Sequence, residues 1–380
     1  MRIVVDDKIP FIRGVLDSFA DVAYIPGAEI APEDVAEADA LIVRTRTRCA
    51  EELLDGSKVR FIATATIGYD HIDAAYCAER GIEWTSAPGC NSSSVRQYIA
   101  SLILNLDSFD PRGKTIGVVG YGNVGSKIAE LAGVFGMDVL LNDPPLDERG
   151  CKNRFVVEHG GFQSLERLGD ESDLITFHVP MAKTGPYPTF HMVDGGFLRG
   201  LRGTALLVNT SRGAVVDNAA LESALSAGEL AGASLDVWEN EPNISYSLMD
   251  DADFATPHIA GYSADGKANG TTMSVRALAR FFDLPLDAWK PEIPPPENPI
   301  VEIANRGMEP FEILRAAVNA SYDIHRDDDA LRADPASFEN LRGDYPLRRE
   351  FHAYTIVLEH PDAETAESLE RLGFSVSSSG

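Results

Sequence analysis

The sequence predicts an α/β protein with two doubly wound parallel sheets followed by a small α+β domain. Three observations carry that expectation. Short apolar runs alternate with helical patterns as far as residue 282, as parallel strands covered by helices would. A glycine-rich turn near residue 120 joins a strand to a helix. A proline-dense stretch, LPLDAWKPEIPPPENP, then precedes a segment of different order. With 380 residues, 44% of them hydrophobic, the chain is too long for one core and apolar enough for several.

In chain order, Arg2 to Val5, Ala40 to Arg44, Phe61 to Thr64 and Ile82 to Trp84 read as strands of the first sheet. Asn91 to Leu106 reads as one long helix, with serines suited to its N-terminus and Val95, Ile99, Leu102, Ile103 and Leu106 on one face. It leads into a second sheet of five strands: Thr115 to Val119, Val139 to Asn142, Leu174 to His178, Ala205 to Asn209 and Ala233 to Val237. A helix at about Ala264 to Phe282 has no sheet of its own and is expected to return to the first unit. Beyond the proline-rich linker, the chain from Ile300 reads strand, helix, helix, strand, helix, strand. The expected domains are 1–96 with 258–290, then 97–257, then 291–380.

Fifty-nine acidic and 33 basic residues give a formal net charge of −26, which repels nucleic acid and anionic lipid and removes both as expected partners. The excess fits either a salty habitat or simple solubility. An anionic substrate must then be met by cations gathered locally. The N-terminus, MRIVVDDKIP, lacks the apolar stretch of a secretory leader, and no segment has the length of a membrane span. Cys49, Cys77, Cys90 and Cys151 show no CxxC spacing and are too sparse for a disulfide framework. Reduced thiols, a cytoplasmic location and no metal site are the expectation.

Gly120-Tyr121-Gly122-Asn123-Val124-Gly125 fits GxGxxG, a weak signal alone. Here the strand TIGVV runs into it, the helical SKIAELAGVFG runs out of it, and a second strand, MDVLLN, ends on Asp143. The first glycine permits the turn, the second lets backbone approach a pyrophosphate, and the third lets helix and strand pack closely. Asp143 lies 18 residues beyond Gly125, where a carboxylate accepts both ribose hydroxyls and repels a 2′-phosphate. The expected cofactor is NAD rather than NADP. The plainer role for Asp143 is to open the Pro144-Pro145 turn.

Three later segments end predicted strands: VNTSRGAVVD at 208–217, LDVWENEP at 235–242 and TPHIAGY at 256–262. Open α/β sheets place ligands at those strand ends. Oxidation of a 2-hydroxy acid needs a cation for the carboxylate, a base for the hydroxyl proton and a group to orient that base. Arg212, His258 and Glu241 supply these in that order. Each alone has a plainer role, as turn cap, core filler or surface charge; it is their joint placement at successive strand ends that points to catalysis.

These segments resemble the signature segments of D-2-hydroxyacid dehydrogenases. Within that family the similarity to one member extends from end to end, through RTRTR, TATIGYDHID, SAPGCNSSSV, GYGNVG, NDPP, HIAGYSADGKANGTT and YDIHRDDDALR. The resemblance implies two discontinuous Rossmann-like domains with the active site in their cleft. On this reading residues 1–96 and 258–290 bind substrate, 97–257 bind NAD, and 291–380 dimerise the protein. It also implies Arg212, Glu241 and His258 as catalytic, and Thr45, Thr66 and Tyr262 as substrate contacts. Asn123, Val124, Asp143, Val179, Asp236 and Gly261 are implied as cofactor contacts. Three positions depart from the family's pattern: Thr45 stands where serine is commoner, Val179 where threonine is common, and Gln97 where glutamate is expected.

The expected substrate is a phosphorylated four-carbon hydroxy acid. In Arg44-Thr45-Arg46-Thr47-Arg48, an extended chain would place three arginines on one side, with Arg44 and Arg46 nearest to serve a second anionic group. Solvated surface arginines are the plainer account. A 3-phosphoglycerate dehydrogenase of the same family, or a non-catalytic NAD-sensing binding protein on the same fold, is the alternative. A homodimer is expected because Ile313, Leu314, Ala317 and Val318 are apolar positions that a small tail domain would struggle to cover alone.

Overall fold

Apolar runs buried on both faces build the two large sheets, as all-parallel sheets require. The computed structural model describes residues 1–107, 109–360 and 362–378. The chain divides into two units, Met1–Asn91 with Ser263–Pro294, and Ser92–Tyr262 with Pro295–Gly380.

In the first unit, β1 (Arg2–Asp6), β2 (Asp21–Ile25), β3 (Ala40–Val43), β4 (Phe61–Thr64) and β5 (Glu83–Thr85) form a parallel sheet ordered β2-β1-β3-β4-β5. The helix Ala264–Phe281 packs on β4 and buries Val275 and Leu278 there. The sheet has one strand more than the sequence pattern suggests. β2 lies at the edge with none of its residues fully buried, and the preceding segment carries the buried Ile9, Ile12 and Leu16 in turns, so no strand period stands out.

The RTRTR segment does not stay extended. β3 ends at Val43, and the N–H of Thr47 donates to the Arg44 carbonyl at 3.1 Å, which closes a turn. Thr47 is buried and its hydroxyl donates to the Gly27 carbonyl at 2.8 Å, while Thr45, Arg46 and Arg48 are exposed. The expected alternation of arginines and threonines therefore fails, because satisfying Thr47 inside the unit bends the backbone.

In the second unit, β6 (Thr115–Val119), β7 (Asp138–Asn142), β8 (Leu174–Phe177), β9 (Leu206–Asn209), β10 (Gly232–Leu235) and β11 (Phe254–Ala255) form a parallel sheet ordered β11-β10-β9-β8-β6-β7. β11 is only two residues long; it supplies the strand expected before TPHIAGY, which no apolar run in the sequence delimits. The order reverses between β6 and β8, the crevice where such sheets bind ligands.

The tail contributes β12 (Ile300–Ile303), β13 (Thr355–Leu358) and β14 (Ser375–Ser378), a parallel sheet ordered β12-β13-β14, together with the helices Pro310–Ser321, Ile324–Ala333, Phe338–Gly343 and Ala363–Leu372. The helices Pro310–Ser321 and Ile324–Ala333, with Gly125–Val134, pack on the long helix Ser92–Asn105, which is consequently buried nearly all round rather than on one face. Gln97 of that helix donates to the Arg349 carbonyl at 3.0 Å and to the Ser321 hydroxyl at 3.3 Å. Ile313, Leu314, Ala317 and Val318 are covered within the chain itself by the same packing, so they do not call for a second copy. Among the described residues, no helix is long and apolar enough to cross a membrane.

Candidate active site

The turn after β6 shows why three glycines are needed. Gly120 has φ +90°, and a Cβ there would stand 2.6 Å from the His178 carbonyl oxygen; one on Gly125 would stand 1.8 Å from the Gly120 carbonyl oxygen. Both positions are closed to any side chain. At Gly122 nothing lies within 4 Å of the Cβ position, so its missing side chain leaves open space rather than relieving a clash. That space adjoins the N-terminus of the helix Gly125–Val134, which no side chain caps. Free N–H groups beside open room suit a pyrophosphate, and the residues present fit a dinucleotide.

Asp143 stands one residue past β7. Its Oδ2 accepts the Tyr121 N–H at 2.8 Å and its Oδ1 the Leu146 N–H at 3.0 Å, so it braces the glycine turn and caps a short helix, Pro144–Glu148, where the sequence suggested a turn. A carboxylate has about four acceptor sites, which leaves capacity for a ribose diol. Val179 follows β8, with Cγ1 3.0 Å from the Cβ position of Gly120, and offers only methyl groups. The neighbouring His178 lies between the Thr176 hydroxyl at 3.1 Å and the Thr210 hydroxyl at 3.4 Å. Burial drives its pKa down to about 3, so the ring is neutral.

Arg212 lies in the loop after β9. Asn209 shapes that loop by accepting the N–H and hydroxyl of Ser211 and donating to the Arg212 carbonyl at 2.9 Å. A Cβ on the next residue, Gly213, would stand 1.8 Å from the Trp238 carbonyl oxygen, so the arginine loop and the segment carrying Glu241 are pressed backbone to backbone. The Glu241 Oε1 accepts the Trp238 N–H at 2.8 Å, and its Oε2 lies 2.7 Å from Nδ1 of His258. Burial pushes the Glu241 carboxyl up, but the hydrogen bond and charge of His258, the Trp238 N–H and the charge of Arg342 together hold it below its ordinary value.

His258 has φ +59°, a left-handed conformation that costs a non-glycine residue about 1 kcal/mol or more. The residues around it hold that shape. Asp236, 2% exposed, accepts the Ile259 N–H at 2.7 Å, the Ala260 N–H at 3.0 Å and the Thr256 hydroxyl at 2.7 Å. Because the Thr256 proton is spent on Asp236, the buried Tyr98 hydroxyl, 2.8 Å away, must donate to Thr256. The Trp238 indole N–H donates to the Thr256 carbonyl at 3.0 Å. The Asp236 side chain is thus occupied in the protein interior.

The structure joins Arg212, Glu241 and His258 through adjoining loops at the ends of β9, β10 and β11. Gly120, Gly122, Asn123, Val124, Gly125, Asp143 and Val179 gather at the ends of β6, β7 and β8. Gly261 and Tyr262 continue the histidine loop, and the Tyr262 N–H donates to the Ile259 carbonyl at 2.8 Å. Arg44, Thr45 and Thr66 belong to the first unit. There the Arg44 guanidinium donates to the Lys8 carbonyl at 3.1 Å, and the Thr66 hydroxyl donates to the Gly68 carbonyl at 2.9 Å and so accepts from Thr64 at 2.7 Å. The sequence reading missed Tyr98, Trp238, Thr256 and Arg342. The first three are ordinary core or motif residues in sequence, and Arg342 is one of several tail arginines.

Residues 96–260 match the family described as D-isomer specific 2-hydroxyacid dehydrogenase, NAD binding domain, and residues 293–373 match a domain of unknown function. The chain is 50% identical over 364 residues to an erythronate-4-phosphate dehydrogenase of Bacteroides fragilis, covering 94% of this chain and 99% of that protein. It is 41% identical over 380 residues to one of Edwardsiella ictaluri, covering 98% and 99%. Among solved structures it is similar to D-lactate dehydrogenase of Aquifex aeolicus complexed with NAD and lactic acid, with a TM-score of 0.64 and 26% identity over 74% of this chain and 96% of that one.

Proposed function

The chain belongs to the erythronate-4-phosphate dehydrogenases, within the D-isomer specific 2-hydroxyacid dehydrogenase family, and on that premise we propose its substrate, product and residue roles. It is an NAD-dependent dehydrogenase. The substrate is 4-phospho-D-erythronate, oxidised at C2 to 2-oxo-3-hydroxy-4-phosphobutanoate in the formation of pyridoxal 5′-phosphate.

The observation that carries the chemistry is the 2.7 Å pairing of His258 Nδ1 with Glu241. An ionised Glu241 accepts the Nδ1 proton, which leaves the lone pair of a neutral ring on Nε2. His258 Nε2 takes the C2 hydroxyl proton, and Glu241 stabilises the imidazolium that results. Arg212 holds the substrate carboxylate through paired hydrogen bonds and so orients C2. Bound NAD supplies the oxidised nicotinamide that accepts the hydride leaving C2. Gly120, Gly122, Asn123, Val124 and Gly125 hold its pyrophosphate, Asp143 its ribose diol, and Val179, Asp236 and Gly261 line the rest of its site. Arg44, Thr45, Thr66 and Tyr262 receive the substrate's distal end.

The protein is cytoplasmic and a homodimer on this reading. Support for the dimer comes from Ile300 and Leu347, large apolar tail residues that stay exposed, with Ile300 on the outer strand β12. The deciding assay offers purified protein NAD with 4-phospho-D-erythronate, D-erythronate and 3-phosphoglycerate. A strong preference for the first is expected; equal rates with D-erythronate, or a preference for 3-phosphoglycerate, would overturn the substrate.

A further inference from the structure

We propose that Arg342, carried by the C-terminal segment, binds the substrate's phosphate. The proposal rests on the reading above, in which Arg212 is committed to the carboxylate and Arg44 serves the distal end, and it adds a second cation for the phosphate.

Arg342 lies near the end of the helix Phe338–Gly343. Phe338 is fully buried and Leu341 packs on the same core as Trp238, so this short helix is fastened to the unit that carries the Glu241–His258 pair. The guanidinium reaches two residues of that site. Nη2 donates to the Tyr262 hydroxyl at 3.4 Å, and Nη1 stands 4.0 Å from the Glu241 Oε2, with the guanidinium carbon 5.8 Å from the centre of the Tyr262 ring.

Little of its donor capacity is used. A guanidinium carries five N–H donors, and 4.0 Å is too long for a hydrogen bond. The 3.9 Å approach to Glu339 is also too long, and Nε is buried with no hydrogen-bond partner. Arg342 does not hydrogen-bond the catalytic pair either: Glu241 accepts from Trp238 and His258, and at 4.0 Å Arg342 adds only its charge there. A largely buried arginine with unmet donors gains most from an arriving oxyanion, and its fork suits the oxygens of a phosphate. In a chain of net charge −26 such a cation is also a selective point of attraction.

Arg342→Met keeps the apolar stem beside Tyr262 and removes the donors, and Arg342→Lys keeps the charge without the fork. Each is compared with wild type for kcat/KM on 4-phospho-D-erythronate and D-erythronate, for competitive inhibition by inorganic phosphate, and for thermal midpoint. Arg342→Met should lose about ten- to hundredfold more on the phosphorylated compound than on the unphosphorylated one, mostly through KM, and weaken inhibition by phosphate. Arg342→Lys should fall between, and carries the comparison if the methionine variant does not fold. Equal losses on both compounds, or an unchanged phosphate preference, would overturn the role of Arg342. Wild-type enzyme that turns over both compounds without preferring the phosphorylated one would overturn the substrate reading as well, and is told apart by needing no variant.

Discussion

Asp236 and His258 are joined through backbone: the Asp236 carboxylate accepts the N–H groups of the two residues that follow the histidine, at 2.7 and 3.0 Å. The aspartate therefore maintains the left-handed turn on which the histidine stands. Replacing it by alanine leaves two backbone donors and the Thr256 hydroxyl unmet in the interior, at a cost of about 2–3 kcal/mol. Asp236→Ala should lower the denaturation midpoint and reduce kcat more than it weakens NAD. A variant with kcat intact would show that the turn holds without Asp236.

His258→Ala should reduce turnover by about 10²–10⁴-fold while NAD binding, measured by fluorescence titration, stays close to wild type. A comparable loss of NAD affinity would place the histidine in the cofactor site instead.

Glu241→Gln should act on the charge that faces the base. Against the upward push of burial, the hydrogen bond and charge of His258, the Trp238 N–H and the charge of Arg342 keep Glu241 below its ordinary value, so it is an anion that stabilises the imidazolium formed when the hydroxyl proton is taken. The neutral amide lacks that charge, so kcat should fall by about 10- to 100-fold, less than in His258→Ala, with NAD binding close to wild type. An unchanged kcat argues against the pairing seen at 2.7 Å.

The three glycines of the cofactor turn should separate folding from binding. Gly122→Ala meets nothing within 4 Å, so its thermal midpoint should match wild type while its NAD affinity falls. Gly125→Ala drives a methyl group to 1.8 Å from the Gly120 carbonyl oxygen and should be poorly folded. If Gly122→Ala bound NAD normally, the open space would not be the pyrophosphate site.

Asp143→Asn keeps an acceptor for the Leu146 N–H but turns an NH2 toward the Tyr121 N–H, and it loses the charge facing the diol. It should keep the helix cap, lose about 1–3 kcal/mol of stability at the unmet Tyr121 N–H, and narrow the preference for NAD over NADP. Unchanged KM values for both cofactors would remove Asp143 from the ribose site.

What was legible in sequence was local. Strands buried on both faces are continuous apolar runs, as in ALIV, FIAT, TIGVV and LITF, and the glycine fingerprint with Asp143 is a contiguous pattern whose purpose is steric. Arg212, Glu241 and His258 stood out because each follows a strand, and strand ends are where a doubly wound sheet presents its chemistry. Only the tertiary structure decided the rest, because it depends on partners far away in the chain. Thr47 bends the arginine segment by donating to Gly27, twenty residues earlier. The helix Ser92–Asn105 is enclosed by tail helices more than two hundred residues later, which also cover the apolar face that had suggested a partner. Arg342 reaches Tyr262 across 80 residues of sequence, from a short helix that no motif in the sequence ties to the site. Local patterns specify which elements form; long-range burial and hydrogen-bond satisfaction specify which side chains those elements bring to the site.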